Sequence, residues 1–296
     1  MKNQYVGDIG DYGKYSLLRF LSQQGITVGI NWYLTRNDGS SDGKFTNYLS
    51  APCDKVFDPV VYDALKTIVD RYKPCLRTVQ MVQRIELIPS ACYFDEEIPV
   101  NALTPKERAQ ARDCWFLRSK DSLKNCDLIF ADPDNGITYS KTAKRKGAEK
   151  FILPNEVVRY YSEGKDVVFY CHKGRRTQEK WERDKTAMNQ YIAEAKIMVL
   201  TFHRGTQRSY IFILHPEHAA DYDSILNEFV VKKWKNSKAF SREVIINSAG
   251  DKNLFRPLGT GFAAPLFGSV YPKGSQIKRN EDGTITVCLP DTETIV

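Results

Sequence analysis

The sequence predicts an α/β protein with a doubly wound, mostly parallel sheet that ends in an antiparallel strand pair. Apolar runs of strand length alternate with amphipathic helical segments up to about residue 235. One run, Leu128–Ala131, is apolar without alternation, which is typical of a parallel strand covered on both faces. Two later strands, residues 197–202 and 209–214, are too close in sequence for a parallel crossover. They must therefore form a hairpin.

The composition is that of a globular protein. The chain has 296 residues, 42% of them hydrophobic and 27% charged, and a formal net charge of +7. It contains no apolar run of the roughly 20 residues that a membrane-spanning helix needs. The first eight residues also lack the apolar region of a signal peptide. We therefore expect a cytoplasmic protein without membrane contact, and the positive charge makes nucleic acid a plausible partner.

The seven cysteines predict neither a disulfide framework nor a zinc finger. Their number is odd, and no two of them form a C-x-x-C pair. Several lie within apolar runs, as Cys171 does. We therefore expect reduced thiols in the core.

The first element is a helix that follows a glycine-rich loop over residues 5–15. Asp11 is a candidate cap, Leu17, Leu18 and Leu21 supply an apolar face, and Gly25 ends the helix. Residues 26–34 form the first predicted strand, which continues into a polar loop over residues 35–43. Such loops bring backbone N–H groups close to a ligand, although a surface turn would use the same residues.

The middle of the chain predicts two helices around an ambiguous segment. Residues 58–72 have helical spacing, and Pro74 ends that helix. Residues 77–88 fit either a strand or a short helix. Thr104 and the proline after it predict a capped helix to about residue 124, with Trp115 and Leu117 facing inward.

Further helices are predicted after residue 154, over residues 177–195 and over residues 215–233, with a strand over residues 167–171. The remainder is rich in glycine and proline, and an Asp-Gly turn separates two short strand-like runs. We therefore predict two parts, a Rossmann-like domain over residues 1–235 and an irregular β-rich extension with a small hairpin over residues 236–296.

The candidate catalytic residues follow the strand Leu128–Ala131. Asp132, Asp134 and Asn135 lie where that strand ends, and ligands of open parallel sheets bind at the carboxyl ends of strands. An Asx-rich turn without function would use the same residues.

The strand order and this motif resemble the S-adenosylmethionine-dependent methyltransferases. Members that modify adenine amino groups carry Asp/Asn-Pro-Pro-aromatic at this strand end, where this chain has Asp132-Pro133-Asp134-Asn135. Residues 7–15 are similar to the Gly-Asn-x-x-Asp-x-x-Lys-His motif that opens a family of ribosomal RNA adenine methyltransferases. The resemblance implies a class I methyltransferase-like fold, a catalytic role for Lys14, and cofactor contacts from Asp8 and Tyr15. By position, Asp38, Gly39 and Ser40 correspond to the cofactor loop.

Two departures from that family keep other functions open. The second proline of the motif is Asp134 and the aromatic residue is Asn135, so the stacking partner of a flipped base is missing. The Asp-x-Asp pair would suit Mg²⁺ in a nuclease or nucleotide-transferring enzyme. The candidate ligands from neighbouring strand ends are Asp8, Asp11, His172 and His203, although no ligand pair has a diagnostic metal spacing. A third alternative is a nucleic-acid-binding protein without chemistry.

Basic residues after two later strands are the predicted nucleic-acid contacts. Because the carboxyl ends of neighbouring strands share one edge of the sheet, these side chains could reach one phosphate backbone. A solvated basic face is the simpler alternative. The predicted contacts are Lys173, Arg175, Arg176 and Arg204.

Overall fold

The computed structural model describes residues 1–39, 43–100, 104–235 and 237–245, and the backbone of two further strands over residues 276–279 and 285–288. Within these residues, α-helices alternate with strands, and a π-helical turn, Phe229–Lys233, extends the last helix. None of these helices is both long and apolar enough to cross a membrane. The helices are α1 (Ile9–Gln23), α2 (Pro59–Arg71), α3 (Val79–Arg84), α4 (Pro105–Ser122), α5 (Pro154–Tyr161), α6 (Gln178–Thr186) and α7 (Ala219–Glu228).

The helices pack around a seven-stranded sheet of order β2-β1-β3-β4-β6-β5-β7. The four strands from β2 to β4 are parallel, and β6 is antiparallel to both of its neighbours. The predicted α/β class and the predicted hairpin are confirmed. The strands are β1 (Val28–Asn31), β2 (Cys92–Phe94), β3 (Leu128–Ala131), β4 (Asp166–His172), β5 (Lys196–Phe202), β6 (Arg208–Leu214) and β7 (Phe240–Ile245).

The strand order creates a crevice between β1 and β3. The chain proceeds from β1 to one side of the sheet, toward β2, and returns on the other side through β3. In open α/β sheets, ligands bind at such a reversal, outside the carboxyl ends of the strands. The register pairs Asn31 with Ala131, so the next residue, Asp132, lies at this edge.

Helix α1 begins earlier than predicted. Its cap is Asp8, whose side chain accepts a hydrogen bond from Gly10 N, and the helix continues through both Gly10 and Gly13. The glycines are needed for close packing, since a Cβ atom at Gly13 would lie 3.0 Å from the Phe202 ring. The prediction of a loop around Asp11 was therefore wrong, because it interpreted packing glycines as turn glycines.

Several other boundaries differ from the predictions. The ambiguous segment over residues 77–88 contains helix α3, and the strand β2 follows it. Helix α6 ends at Thr186, nine residues before the predicted end, and a 3-10 turn follows it. The predicted cap of α4 is confirmed, with Thr104 and Glu107 forming a capping box. Trp115 is buried as predicted, whereas Leu117 is exposed.

The main sheet also includes a strand beyond the predicted domain boundary. Strand β7 pairs with β5 along its length, and Phe240 packs against Phe202 and Trp234. The first compact unit accordingly extends from Met1 to Phe262, past the predicted end at residue 235. The second unit, Ala263–Val296, contains the predicted hairpin, formed by β8 (Gln276–Arg279) and β9 (Ile285–Cys288).

The described cysteines are free thiols, as predicted, but only some of them lie in the core. Cys126 and Cys171 are buried, next to or within strands. The expectation of core burial was wrong for Cys53, Cys75 and Cys114, which are exposed on 3-10 turns and on the outer face of α4.

A buried ion pair joins α4 to α5 inside the core. Arg112 Nε donates to Glu156 Oε1 at 2.7 Å, and Nη2 donates to Oε2 at 2.9 Å. The remaining donors of the guanidinium reach the carbonyl oxygens of Ala148 and Phe151, and the Tyr33 hydroxyl donates to Glu156. Both members of this pair thus have several hydrogen-bond partners within the protein.

Candidate active site

A cavity of about 320 Å³ opens at the carboxyl edge of the sheet, where β3, β4 and the start of β6 meet the first turns of α1. Its size lies at the lower end of the range for small-molecule sites. It combines carboxylates, cations and aromatic rings. The lining residues are Met1, Tyr5, Asp8, Gly10, Asp11, Lys14, Gly43, Phe45, Asp132, Pro133, Asp134, Asn135, Tyr170, His172, Thr206, Arg208 and Tyr210.

The floor of the cavity is an ion triad. Lys14 Nζ lies 2.7 Å from Asp11 Oδ1, one helical turn away, and 2.7 Å from Asp132 Oδ2 at the end of β3. All three side chains are almost fully buried. The two predicted catalytic residues Lys14 and Asp132 are therefore in direct contact, although 118 positions separate them.

The environment shifts the pKa values of two members of the triad. Burial alone would lower the pKa of Lys14, but the charges of Asp11 and Asp132 outweigh it and raise that pKa. Burial raises the pKa of Asp11 to about 6, against the opposing effect of Lys14. Lys14 consequently stays charged near neutral pH, and Asp11 exchanges its proton just below neutrality.

Met1 fills the crevice between β1 and β3. Its α-ammonium donates to the carbonyl oxygens of Tyr33 and Asp132, at 3.2 and 2.7 Å. It also lies 3.0 Å from Asp134 Oδ1, an ion pair without the alignment of a hydrogen bond. The thioether sulfur of Met1 lies 3.7 Å from Lys14 Nζ. A methionyl group is thus held by its ammonium, with its sulfur at the ion triad.

Asp134 is adapted to hold a positive charge. Burial would raise its pKa, but the α-ammonium of Met1 and a hydrogen bond from the Thr35 hydroxyl, at 3.0 Å, outweigh burial and lower it. Asp134 is therefore ionised throughout the neutral range. The Asp in place of the second proline of the motif serves here as an ammonium acceptor.

A second ion pair forms the opposite wall. Arg208, the first residue of β6, donates from Nη2 to Asp8 Oδ1 at 2.8 Å. Gly10 permits this approach, since a Cβ atom at that position would lie 2.3 Å from Arg208 Nε. Asp8, predicted as a cofactor contact, lines the cavity. Its carboxylate accepts hydrogen bonds from Arg208, Gly10 N and Phe45 N.

Aromatic residues that the sequence analysis did not identify line the rest of the cavity. Tyr5, Phe45 and Tyr170 are among them, and they come from three separate segments. Within the described part of the chain, the buried Nδ1 of His172 and hydroxyl of Tyr210 lack hydrogen-bond partners. Burial, together with the charges of Arg176 and Arg208, lowers the pKa of His172, so its imidazole is neutral. His172 and Tyr210 both line the cavity.

Of the other predicted cofactor contacts, Tyr15, Asp38 and Gly39 do not line this cavity. The Tyr15 ring is buried against Trp32, and its hydroxyl donates to Asp11 Oδ2 at 3.2 Å. Asp38 pairs with Lys2, and Gly39 is exposed with open space around it. Ser40 lies outside the described residues. Gly43, a few positions further on, does line the cavity.

The predicted nucleic-acid contacts have mostly internal partners. Arg204 forms a two-pronged ion pair with Asp54, and Arg176 pairs with Asp184 at 3.3 Å. Lys173 donates to Gln178 at 2.7 Å, while Arg175 is exposed. The four side chains therefore do not present one uniform basic surface.

The geometry does not favour the magnesium alternative. Lys14 Nζ holds the position between Asp11 and Asp132 that a metal cation would need. In the described residues, Asp132 and Asp134 belong to no group of three potential ligand side chains with mutually close ligand atoms. His203, a further candidate ligand, is exposed and contacts Ser241.

Comparisons with known proteins do not assign the chain to a family. No protein-family model and no curated protein matches it. One matching solved structure is that of protein LPL1258 from Legionella pneumophila strain Philadelphia 1, described with the family model DUF519. It is 11% identical, with a TM-score of 0.43, over 82% of this chain and 98% of that chain. This similarity is too low to assign a function.

Proposed function

We propose that the chain is an S-adenosylmethionine-dependent methyltransferase-like enzyme that acts on an amino group of a nucleobase. The position of Met1 carries the proposal. S-adenosylmethionine has the same methionyl skeleton, with an α-ammonium at one end and the reacting sulfur at the other. The acceptors of the Met1 ammonium, Tyr33 O, Asp132 O and Asp134, would receive the ammonium of the cofactor.

Charge and topology support the same proposal. The four carboxylates of the cavity outnumber its three cations, Lys14, Arg208 and the Met1 ammonium, and this favours a sulfonium ligand. Strand β6, reversed between β4 and β5, fits the strand layout that the sequence resemblance implies, whereas β7 adds a second reversed strand beyond β5. Binding in this position requires Met1 to leave the crevice.

The proposed substrate follows from the walls of the cavity. The motif lacks its aromatic residue, but Tyr5, Phe45 and Tyr170 bring rings to the same cavity, and a planar base can stack on such rings. The unpaired atoms of His172 and Tyr210 can bind the polar edge of a base. A nucleobase satisfies both features, whereas an aliphatic substrate could not stack on the rings.

The cofactor, when bound, supplies an electrophilic methyl group, and the protein positions the group that receives it. Asp132, fixed by the rigid strand β3 and by Lys14, accepts a hydrogen bond from the amino group of the base. Lys14 orients Asp132 through their ion pair, and Asp11 holds Lys14 from the other side. Asn135, also in the cavity, offers an amide to the same edge of the base.

Calorimetric titration of the full chain with S-adenosylmethionine tests the proposal. We expect one equivalent to bind, with weaker binding of adenosine because it lacks the ammonium. Incubation with radiolabelled cofactor and with unmethylated RNA or DNA then identifies the substrate, and mass spectrometry of the nucleosides identifies the modified amino group. The absence of binding by both S-adenosylmethionine and S-adenosylhomocysteine would refute the proposal.

A further inference from the structure

A second cluster of ionisable side chains lies at the opposite edge of the sheet. Asp166 is the first residue of β4, whereas His172, at the cavity, is the last. Six residue steps of about 3.3 Å place these two ends about 20 Å apart. His215 and His218 approach Asp166 from the segment between β6 and α7. This cluster is independent of the proposed active site.

The three side chains have the arrangement of metal ligands. His215 Nδ1 lies 3.1 Å from Asp166 Oδ1, and His218 Nδ1 lies 2.8 Å from Oδ2. Their ligand atoms all lie within 4.8 Å of one another. Among the residues that the structure describes, this is the one group of three or more histidine, cysteine or acidic side chains that is this close.

Asp166 lacks the fixed cation that other buried carboxylates of this chain have. It is 2% exposed, and its ion-pair partners among the described residues are the two histidines, without a lysine or an arginine. A buried carboxylate needs a compensating charge. A divalent cation held between the three side chains would supply that charge.

Surrounding groups fix the orientation of two of the ligands. Asp166 accepts a hydrogen bond from the backbone N–H of His215, at 2.8 Å. The Tyr161 ring stacks on the His215 ring with a centroid distance of 3.8 Å and an interplanar angle of 6°. Such outer contacts are the usual support of metal-binding histidines and carboxylates.

We propose that Asp166, His215 and His218 bind a Zn²⁺ ion. The ligands are one carboxylate oxygen and the Nδ1 atoms of both imidazoles, each with its proton on Nε2. Two imidazoles and a carboxylate are a common zinc set, and water completes the tetrahedron. The His218 side chain is 48% exposed, so the ion can enter from solvent. The metal ties the start of β4 to the segment that precedes α7.

Zinc titration of the chelator-treated full chain tests the proposal, combined with X-ray absorption spectroscopy of the bound zinc. We expect one equivalent with nitrogen and oxygen ligands at about 2.0–2.1 Å and no sulfur at about 2.3 Å. Zinc should also raise the melting temperature. His218→Ala should reduce the affinity at least tenfold and abolish the thermal shift. His218→Gln, which keeps a hydrogen-bond donor, should do the same while folding normally.

His203→Ala is the matched control, because His203 is also exposed but contacts Ser241 outside the cluster. That variant should bind zinc as the unmodified chain does. The proposal is overturned if the unmodified chain binds no zinc, if sulfur ligands appear, or if both His218 variants bind as tightly as the His203 variant. In those cases the cluster is a set of hydrogen bonds only.

Discussion

The pairs Lys14–Asp132 and Arg112–Glu156 are both buried ion pairs between segments far apart in the sequence, but their surroundings differ. Arg112 and Glu156 are enclosed, and backbone carbonyls and a tyrosine hydroxyl complete their hydrogen bonds. Lys14 and Asp132 instead line a cavity that also holds unpaired polar atoms. Burial of an ion pair alone therefore does not define a candidate site, and we base the candidate site on the pair that also lines a cavity.

The largest expected effect is on stability, and it follows from breaking the enclosed pair Arg112–Glu156. Arg112→Met removes the cation that pairs with the buried Glu156, and this should lower the free energy of unfolding by about 3–5 kcal/mol. Arg118→Met is the control on the same helix, since Arg118 pairs with Glu96 at the surface and should contribute at most about 1 kcal/mol. Denaturant unfolding measures both. Equal changes in the two variants would contradict the structural role of Arg112.

The next largest effect is on activity, and it follows from breaking the cavity-lining pair Lys14–Asp132. Asp132→Asn keeps the shape of the side chain and removes its charge, so methyl transfer should fall more than tenfold, at least about 1.4 kcal/mol in the barrier. Stability should fall less than in Arg112→Met, because Lys14 retains Asp11. Asp121→Asn, at an exposed position of α4, is the control. Full activity of Asp132→Asn would mean that this strand end is only a turn.

A smaller effect is expected from Gly10→Ala, which alters the wall of the cavity without removing a charge. The added Cβ atom would lie 2.3 Å from Arg208 Nε, and this long side chain must move away from Asp8. Cofactor binding should weaken by about 1 kcal/mol. Helix α1 should not be destabilised, since alanine favours helix more than glycine does. Calorimetry and thermal unfolding measure the two effects separately, and unchanged binding would mean that the contact between Arg208 and Asp8 does not support the cofactor site.

The subtlest effect concerns the proton of Asp11. Its pKa is raised to about 6, so between about pH 4 and 6 the native state binds a proton that the unfolded state has released. Asp11 therefore makes stability decrease as the pH rises through that window. Urea unfolding over this range should show a steeper decrease for the unmodified chain than for Asp11→Asn. Identical slopes would place the pKa of Asp11 near its ordinary value.

The sequence predicted those features of the fold that depend on residues close together in the chain. The buried run of β3, the short connection between β5 and β6 and the capping residue Thr104 each depend on neighbours in sequence, and all three are confirmed. The sequence analysis placed β7 in the C-terminal extension and not in the main sheet, because the pairing of β7 with β5 is a long-range contact. The start of α1 was missed because Gly10 and Gly13 suit a turn as well as a close helix contact.

The candidate site shows the same division. Asp132, Asp134 and Asn135 were found because they follow a recognisable strand, and Lys14 because it matches a family motif. Met1, Tyr170 and Arg208 were missed, since each reaches the cavity through the fold and has no local signature. Arg176 and Arg204 were predicted as nucleic-acid contacts from the charge pattern alone. The sequence does not show that Asp184 and Asp54 form ion pairs with them.

The most direct test of the proposed site is NMR of the chain labelled with ¹³C in its four methionine methyl groups, before and after addition of S-adenosylmethionine. Met1 holds the position proposed for the cofactor, whereas Met188 and Met198 are fully buried elsewhere in the core. We predict that the Met1 signal shifts and sharpens as the residue is displaced, while the signals of Met188 and Met198 stay unchanged. Saturating binding with an unmoved Met1 signal, or no binding, would contradict the account.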